Sequence, residues 1–184
     1  MAPRIPPLPV DGRDPRTQAI LDGLPGPDGT ELNIFTTLAH HPRLLKRWSA
    51  FGGVLLTGSL PARERELLIL RTGLHCGAAY EWGQHVPIAR AAGLSDDEIE
   101  RVAAGPHAPG WSNDDALLLH AADELHADAV ISDPTWAALA QRWDREQLIE
   151  ICMVVGQYHL VAFTLNSLGV EGEGELAPMP SRAR

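Results

Sequence analysis

The sequence contains little cysteine, few aromatic residues and no excess of positive charge. Its 184 residues include 2 cysteines, Cys76 and Cys152, and this number and spacing predict neither a disulfide framework nor a zinc motif. The formal net charge of −9, without a basic stripe to offset it, argues against nucleic acid as a partner. The N-terminal residues MAPRIPPLPVDG lack the apolar stretch of a secretory signal, so we expect a cytoplasmic protein whose cysteines stay reduced.

Alternating strand patterns are absent as well, so the expected fold class is all-α. With 45% hydrophobic residues, the chain can bury one core without disulfides or metal. We predict a proline-rich extended arm over residues 1–13, a single helical domain over 14–170, and a mobile tail over 171–184. An arm of this kind is suited to lying across a neighbouring subunit.

The last predicted helix, residues 146–168, is apolar on almost every side. Its hydrophobic density is that of a membrane span, but polar residues interrupt it and no basic flank favours insertion, so we expect no membrane contact. A helix buried on all sides, in the core or in a subunit interface, fits better. Two interpretations stay open for Gln157, Tyr158 and His159: they line a cavity that also holds His85, or they satisfy hydrogen bonds in the core.

The other elements are arranged around residues 63–93. Apolar residues at helical spacing predict a helix over residues 63–74, followed by a tight joint and a second helix over residues 79–92. Gly93 fits the left-handed position that ends helices, because it has no Cβ to clash.

Glutamates and a histidine with acid–base potential lie on these two helices. Glu81 and His85 are four residues apart and share one face of the second helix, flanked by Tyr80 and Trp82. Glu66 reaches the same cleft if the two helices pack antiparallel. A carboxylate beside an imidazole is a usable acid–base pair. The alternative is that Glu81 and His85 form a surface pair while Glu66 is solvated.

Three runs carry a resemblance to a known family: RERE at Arg63–Glu66, YEWGQH at Tyr80–His85, and AAGLSDDEI at Ala91–Ile99. Together they resemble the core motif of the carboxymuconolactone decarboxylase family, which also contains the alkylhydroperoxidase D proteins. The resemblance implies an alkylhydroperoxidase D-like helical bundle, a small-molecule substrate and a homo-oligomer, commonly a trimer or a hexamer of paired trimers. We expect neither a cofactor nor a bound metal.

The sequence departs from the peroxidase branch of that family at its cysteines. The branch motif is a glutamate, a Cys-x-x-Cys pair and a histidine four residues after the second cysteine. Aligned on His85, Glu66 takes the glutamate position, but Ala78 and Glu81 occupy the cysteine positions and Cys76 lies outside the pair. A dithiol cycle needs a thiolate nucleophile and a nearby resolving thiol, so dithiol peroxidase activity is not expected.

The first functional hypothesis is a lyase or isomerase acting on a small carboxylated or lactone-type molecule, as the family name implies. Decarboxylation leaves electrons that flow into an adjacent carbonyl, so the site needs an enolate stabiliser and an acid that reprotonates carbon. His85 is the candidate general acid/base, oriented by Glu81 or Glu66, and Tyr80 is a candidate hydrogen-bond donor. The candidate substrate contacts are Trp82, Tyr158 and His159. The arginines nearest to the site, available for an anionic substrate, are Arg63, Arg65 and Arg71.

Two other classes of function stay open. Cys76, next to His75, is the candidate nucleophile of a single-cysteine peroxidase, although it has no resolving cysteine nearby. A protein that binds a small molecule in the same cavity without turning it over is the other alternative.

Two groupings have some metal-ligand character. Glu66, Glu81 and His85 offer two carboxylates and one imidazole but no further ligand. Asp123 and His126 have the i, i+3 spacing of carboxylate–histidine motifs, yet nothing elsewhere pairs with them in that pattern. We interpret the second grouping as a solvated helix face.

Overall fold

The computed structural model describes residues 2–181, apart from the side chain of Asp28, and every regular element within them is helical. The α-helices of this range are α1 (Pro15–Leu21), α2 (Asn33–Leu38), α3 (Pro42–Leu56), α4 (Ala62–Cys76), α5 (Ala79–Ala91), α6 (Asp96–Ala104), α7 (Asn113–Asp128), α8 (Asp133–Arg142) and α9 (Arg145–Leu168). The all-α class is thereby confirmed. The first residue of the predicted arm and the last three of the predicted tail lie outside the described residues.

Helix α4 is the centre of the molecule. It packs against α9, α5 and α7, and every residue in the range 65–74 is buried. A helix surrounded on all sides needs apolar or paired side chains around its whole circumference, which explains its run of leucines. Leu67 and Leu70 share a core with α5 and α6, while Leu68 and Ile69 pack toward α7, α8 and α9.

The turn between α4 and α5 brings the two halves of the predicted motif together. Gly77 ends α4 in the left-handed conformation, with φ of 61°, which a residue without a Cβ adopts at little cost. The amide of Ala78 donates to the carbonyl of Gly73, so the chain reverses at once and α5 returns along α4. Gly93 follows α5 with φ of 100°, as predicted.

Helix α9 is buried on one side only. Its inner residues Ile151, Val154 and Val155 lie in the main core. The large apolar side chains exposed on its outer side are Ile149, Met153, Leu160 and Phe163. By length and composition α9 could cross a membrane, but 50% of its apolar window is buried inside the protein, as in the core helix of a compact soluble-type fold. Burial of α9 on all sides by the core of its own chain is therefore wrong, and burial of its outer face in a subunit interface stays a prediction.

The segments before α1 and after α9 pack against the helical domain within the described residues. The amide of Arg4 donates to the carbonyl of Leu168, so the proline-rich arm lies along its own chain. Beyond α9, residues 170–181 run along α5, where Leu176 packs directly over Gly83. This packing differs from the mobile tail that the glycine and glutamate content predicts.

Candidate functional site

Glu66 and His85 form a hydrogen-bonded pair between α4 and α5. Nδ1 of His85 lies 2.7 Å from Oε2 of Glu66, whose side chain is fully buried. Nε of Arg65 lies 3.3 Å from the other oxygen of Glu66. With the Nδ1 proton donated to Glu66, the proton-free nitrogen of neutral His85 is Nε2, on the opposite edge of the ring. This arrangement contradicts the interpretation in which Glu66 is solvated and His85 pairs with Glu81 at the surface.

Glu81 lies one turn before His85 but does not bond to it. Both carboxyl oxygens of Glu81 are buried and have no hydrogen-bond partner among the described residues. Burial raises the pKa of Glu81 well above its ordinary value, so this environment favours the neutral carboxylic acid. A Cβ built on Gly73 would lie 2.9 Å from Oε1 of Glu81. Gly73 therefore provides the space that this carboxyl group occupies.

Glu81 and His85 line a cavity of about 450 Å³ walled by α2, α3, α5, α9 and the segment before α2, whereas Glu66 is not part of this wall. The larger apolar side chains of its wall are Leu24, Leu32, Ile34, Phe35, Trp48, Leu56, Ile88, Val161 and Leu165. The polar side chains of its wall are Ser49, Tyr80, Glu81, Gln84, His85, Gln157 and Tyr158. No lysine or arginine in the described part of the chain contributes to this wall. The cavity has the size and apolar character of a site for a small organic molecule.

Two tyrosines lie beside His85 in the cavity wall. The ring of Tyr158 meets the ring of His85 edge to face, with centroids 4.9 Å apart. Burial raises the pKa of Tyr158, and the nearby carboxyl groups of Glu66 and Glu81 add to this, so it stays a neutral phenol. Tyr80 is a hydrogen-bond donor, but its partner is Oε1 of Glu173, 2.6 Å away in the C-terminal segment.

Two of the predicted substrate contacts lie away from the cavity. Trp82 is buried in the core between α4, α5 and α6. His159 lies against α7, where its ring stacks on His126. Successive residues of a helix point about 100° apart, so Tyr158 enters the cavity while His159 faces the neighbouring helix. Of the two open interpretations of the polar residues on α9, Gln157 and Tyr158 follow the first. His159 follows the second, because its ring bonds to the carbonyl of Val155 and to His126.

The sequence interpretation missed Gln84 and Glu173. The amide of Gln84, which lines the cavity, donates to Oε2 of Glu173 over 2.7 Å, and Glu173 also bonds to Tyr80. Gln84 could have been found, because it is four residues after Tyr80 and therefore on the same helix face. For Glu173 the sequence offers no signal, because alternating glycine and glutamate is typical of a solvated tail.

The arginines considered for an anionic substrate are engaged elsewhere. Arg63 pairs with Asp115 and with a glutamate of α6. Arg71 binds Asp123 through two nitrogens, at 2.6 and 2.9 Å. Arg65 is buried next to Glu66. The cavity therefore receives no cationic side chain for a substrate carboxylate.

Asp123 and His126 do not lie on a solvated face, so that interpretation is wrong. This side of α7 packs against the end of α4, where Asp123 accepts hydrogen bonds from Arg71 and His75. His126 lies 2.9 Å from His159 and close to Cys76. Cys76 is consequently part of a second cluster and does not contribute to the wall of the cavity that holds His85.

Comparison with protein families supports the motif found in the sequence. Residues 42–124 match the carboxymuconolactone decarboxylase family. This segment carries Glu66, Glu81 and His85, so the family match covers the three residues of the candidate acid–base group. No curated protein matches the chain.

Solved structures share the fold over most of the chain. An uncharacterized peroxidase-related protein from Ralstonia eutropha JMP134, with an alkylhydroperoxidase AhpD core, has a TM-score of 0.79 at 19% identity, covering 92% of this chain and 93% of its own. A putative antioxidant defence protein AhpD from Agrobacterium tumefaciens has a TM-score of 0.70 at 20% identity, with 75% and 96% covered. The debrominase Bmp8 in complex with 2,3,4-tribromopyrrole has a TM-score of 0.73 at 15% identity, with 95% and 94% covered. The fold is therefore that of the alkylhydroperoxidase D-like proteins.

Proposed function

We propose that this protein is a cytoplasmic, cofactor-independent enzyme that transfers a proton at the carbon next to a carbonyl group of a small lactone-type or carboxylated molecule. The reaction is a decarboxylation or an isomerisation. The observation that supports this proposal is the Glu66–His85 pair beside the buried carboxylic acid of Glu81, at the wall of an apolar cavity.

His85 acts as the general base and then as the general acid. Because Glu66 accepts the Nδ1 proton, the imidazole keeps one tautomer, and Nε2 is the nitrogen that takes a proton from the substrate carbon. The adjacent carboxylate stabilises the imidazolium that forms. In a decarboxylation, His85 first takes the proton of the substrate's carboxylic acid, and the imidazolium then delivers this proton to the carbon from which carbon dioxide departs.

Glu81 stabilises the enolate that either reaction forms. A neutral carboxylic acid donates a hydrogen bond to an oxygen that gains negative charge, and in an apolar wall this bond is stronger than in water. Among the described residues, Glu81 has no other group to which it donates. Both oxygens are buried in the free protein, so this role requires that the Glu81 side chain turn toward the cavity when the substrate binds.

The wall of the cavity favours an uncharged, ring-shaped substrate over a free carboxylate. It is mostly apolar and receives no lysine or arginine from the described residues, so a carboxylate would lose its hydration without gaining an ion pair. The structure of debrominase Bmp8 with 2,3,4-tribromopyrrole shows that a protein of this fold accepts a small apolar ring. Within the proposed class, an unsaturated γ-lactone fits this wall better than a dicarboxylic acid.

The proposal is tested with two substrates and four variants. Carbon dioxide release from 4-carboxymuconolactone tests decarboxylation, and deuterium incorporation next to the carbonyl of α-angelica lactone in D₂O, followed by NMR, tests proton transfer. We expect His85→Gln to lower the rate of carbon dioxide release or deuterium incorporation by about 10²- to 10⁴-fold. Glu66→Gln should lower the same rate because the His85 ring is no longer held in one tautomer. Glu81→Leu removes the donor and lowers the rate, whereas Glu81→Gln keeps an N–H donor and loses less.

The matched control is His120→Gln, because His120 lies outside the cavity and contacts the ring of His107. A wild-type rate in His85→Gln would contradict the proposal. Lactone binding without exchange or release in the wild type would identify a non-catalytic binding protein on this fold.

The single-cysteine peroxidase is the weaker alternative. Cys76 lies in the cluster with His126 and His159 at the end of α4, ten residues after Glu66, and is not part of the cavity wall. It therefore has no access to the acid–base pair of the cavity. Hydroperoxide consumption that is abolished in Cys76→Ser and retained in His85→Gln would reverse this preference.

A further inference from the structure

Three side chains with metal-binding atoms converge on the side of α9 that faces away from the cavity. They are Cys76 at the end of α4, His126 on α7 and His159 on α9, and one ligand atom from each lies within 4.8 Å of the other two. All three side chains are half-buried, so an ion can reach them from solvent. A thiol and two imidazoles are ligands that zinc prefers.

The orientation of His159 suits it to be a ligand. Its Nδ1 lies 2.8 Å from the carbonyl oxygen of Val155, to which it donates. Its Nε2 therefore carries the lone pair, and this atom faces Nδ1 of His126 at 2.9 Å. A backbone carbonyl that fixes the tautomer in this way is a common second partner of histidines that bind metals.

Neighbouring groups hold His126 in place. The ring of His75 stacks on the ring of His126 with centroids 4.4 Å apart and planes inclined by 10°. His75 in turn contacts Oδ1 of Asp123 at 2.6 Å, and Arg71 binds the same carboxylate. Burial alone would raise the pKa of Asp123, but the hydrogen bonds from His75 and Arg71 outweigh it and lower this pKa to about 2. Asp123 thus fixes the ring of His75, and the stacked ring of His75 in turn limits the movement of His126.

We propose that Cys76, His126 and His159 bind a zinc ion, with the fourth coordination position open to water. The ion takes the thiolate of Cys76 and one ring nitrogen of each histidine, and binding releases the thiol proton to solvent. The proton that Nδ1 of His126 donates to His159 passes to solvent when the ion enters between the two nitrogens, and Nε2 of His126 takes up a proton from solvent, so the ring stays neutral in its other tautomer. Two nitrogens on a tetrahedral zinc ion lie about 3.3 Å apart, so this pair needs to separate by a few tenths of an ångström from 2.9 Å.

This site is independent of the proposed proton transfer. Tyr158 and His159 are neighbours in the sequence, but the first contacts His85 and the second contacts His126. Failure of the metal-binding experiment would therefore leave the proposed proton transfer in the cavity unaffected, and the reverse also holds.

The experiment starts from full-length protein treated with a chelator and dialysed. Zn²⁺ affinity is measured by competition with a chromophoric chelator, and Co²⁺ is added as a spectroscopic substitute. We expect one ion per chain, visible d–d bands of tetrahedral cobalt and a near-ultraviolet thiolate-to-cobalt band. Cys76→Ser and His126→Ala should each weaken Zn²⁺ binding by about 100-fold or more, and Cys76→Ser should remove the thiolate band.

The chain offers matched controls for both ligand types. Cys152→Ser removes the other half-buried cysteine, and His120→Ala removes a histidine outside the cluster. Both controls should keep wild-type affinity and the full cobalt spectrum. If wild-type protein binds no Zn²⁺ or Co²⁺, or if the controls lose as much affinity as the ligand variants, the proposal is wrong.

Alkylation of Cys76 gives a second readout that does not depend on the stability of the ligand variants. Zn²⁺ should slow the reaction of Cys76 with iodoacetamide in wild-type protein, as followed by mass spectrometry of the peptide. The protection should be lost in His159→Ala and should not extend to Cys152. Equal alkylation with and without Zn²⁺ would overturn the assignment, and protection by Cu²⁺ alone would identify a copper site in place of a zinc site.

Discussion

At the scale of single residues, the most unusual group is the buried carboxyl of Glu81. It is 2% exposed and has no hydrogen-bond partner among the described residues. A buried polar group without a partner is costly, and an ionised one far more so. Because the buried carboxyl of Glu81 lowers stability and lies one turn from His85, it is typical of a functional residue rather than of a stabilising one.

The pKa of Glu81 makes the folded protein less stable as the pH rises. Below the ordinary pKa of 4.5, folded and unfolded chains both hold the proton. Above it the unfolded chain releases a proton that the folded chain keeps, so the free energy of unfolding falls by at most about 1.4 kcal/mol per pH unit until the raised pKa is reached. Urea denaturation at pH 5 and pH 7 should show this loss in the wild type.

Glu81→Gln should remove that contribution, because glutamine does not titrate. The variant should therefore be more stable than the wild type at pH 7 and similar to it near pH 4.5. Glu100→Gln, at an exposed position on α6, is the control and should follow the wild type at both pH values. A constant difference between Glu81→Gln and the wild type across this range would rule out a raised pKa at Glu81.

The sequence identified His85 and both glutamates but left their pairing open. Spacing favours Glu81 as the partner of His85, because residues four apart share a helix face. The partner in the structure is Glu66, 19 positions away, because α5 folds back along α4 at Gly77. Pairing across a helical hairpin depends on the turn and on side-chain rotamers, neither of which appears in a local pattern.

At the scale of helices, the close approach of α4 and α5 depends on a glycine. Gly73 faces the carboxyl of Glu81 across the hairpin, and a Cβ there would lie 2.9 Å from Oε1. Glu81 has little freedom to yield, since it is buried on all sides. This explains a glycine in the middle of a central helix, where it otherwise lowers helix stability.

Gly73→Ala should destabilise the protein by about 1–3 kcal/mol through overpacking, measured by chemical denaturation. Gly53→Ala in α3 is the matched control, because a Cβ at Gly53 meets nothing within 4 Å. That variant should be neutral or slightly more stable, as expected for replacement of a helical glycine. Adding Glu81→Ala to Gly73→Ala should recover part of the loss. Equal stability of the two glycine variants would show that the hairpin tolerates the extra carbon.

The surroundings of Asp123 and His126 on helix α7 cannot be predicted from the residue pattern of that helix alone. The spacing of Asp123 and His126 is the same whether that face is solvated or covered. In the structure it meets the end of α4, which brings His75 and Cys76 to it from about 50 positions away. Only the packing of helices against one another could reveal this cluster.

At the scale of the whole molecule, α9 presents an apolar stripe to the outside. Its exposed large side chains, with Gly156 between them, recur at spacings of three and four residues: Ile149, Met153, Gly156, Leu160 and Phe163. Such a stripe is typical of a helix that packs against a second helix. We propose that a second copy of this chain covers it, in keeping with the homo-oligomer that the family resemblance implies.

Light scattering after size-exclusion chromatography should give a mass three or six times the chain mass of 19.9 kDa. Leu160→Glu places a charge in the centre of the stripe and should shift the protein toward the monomer mass. The control is Gln141→Glu, which adds a charge at an exposed position on α8 and should leave the mass unchanged. A wild-type protein that elutes as a monomer would contradict the proposed contact.

The segment after α9 gives the molecule a site at which proteases can act without cutting a helix. Glu173 accepts hydrogen bonds from Tyr80 and Gln84, and Leu176 packs over Gly83. This glycine-rich segment therefore holds Tyr80 and Gln84 of the cavity wall in position. Glu171 and Glu175, on either side of this contact, are exposed. A glutamyl endopeptidase should therefore cleave this segment first and leave the helices intact. Cleavage removes the contacts that hold the segment against α5, so a few surface contacts control access to the cavity.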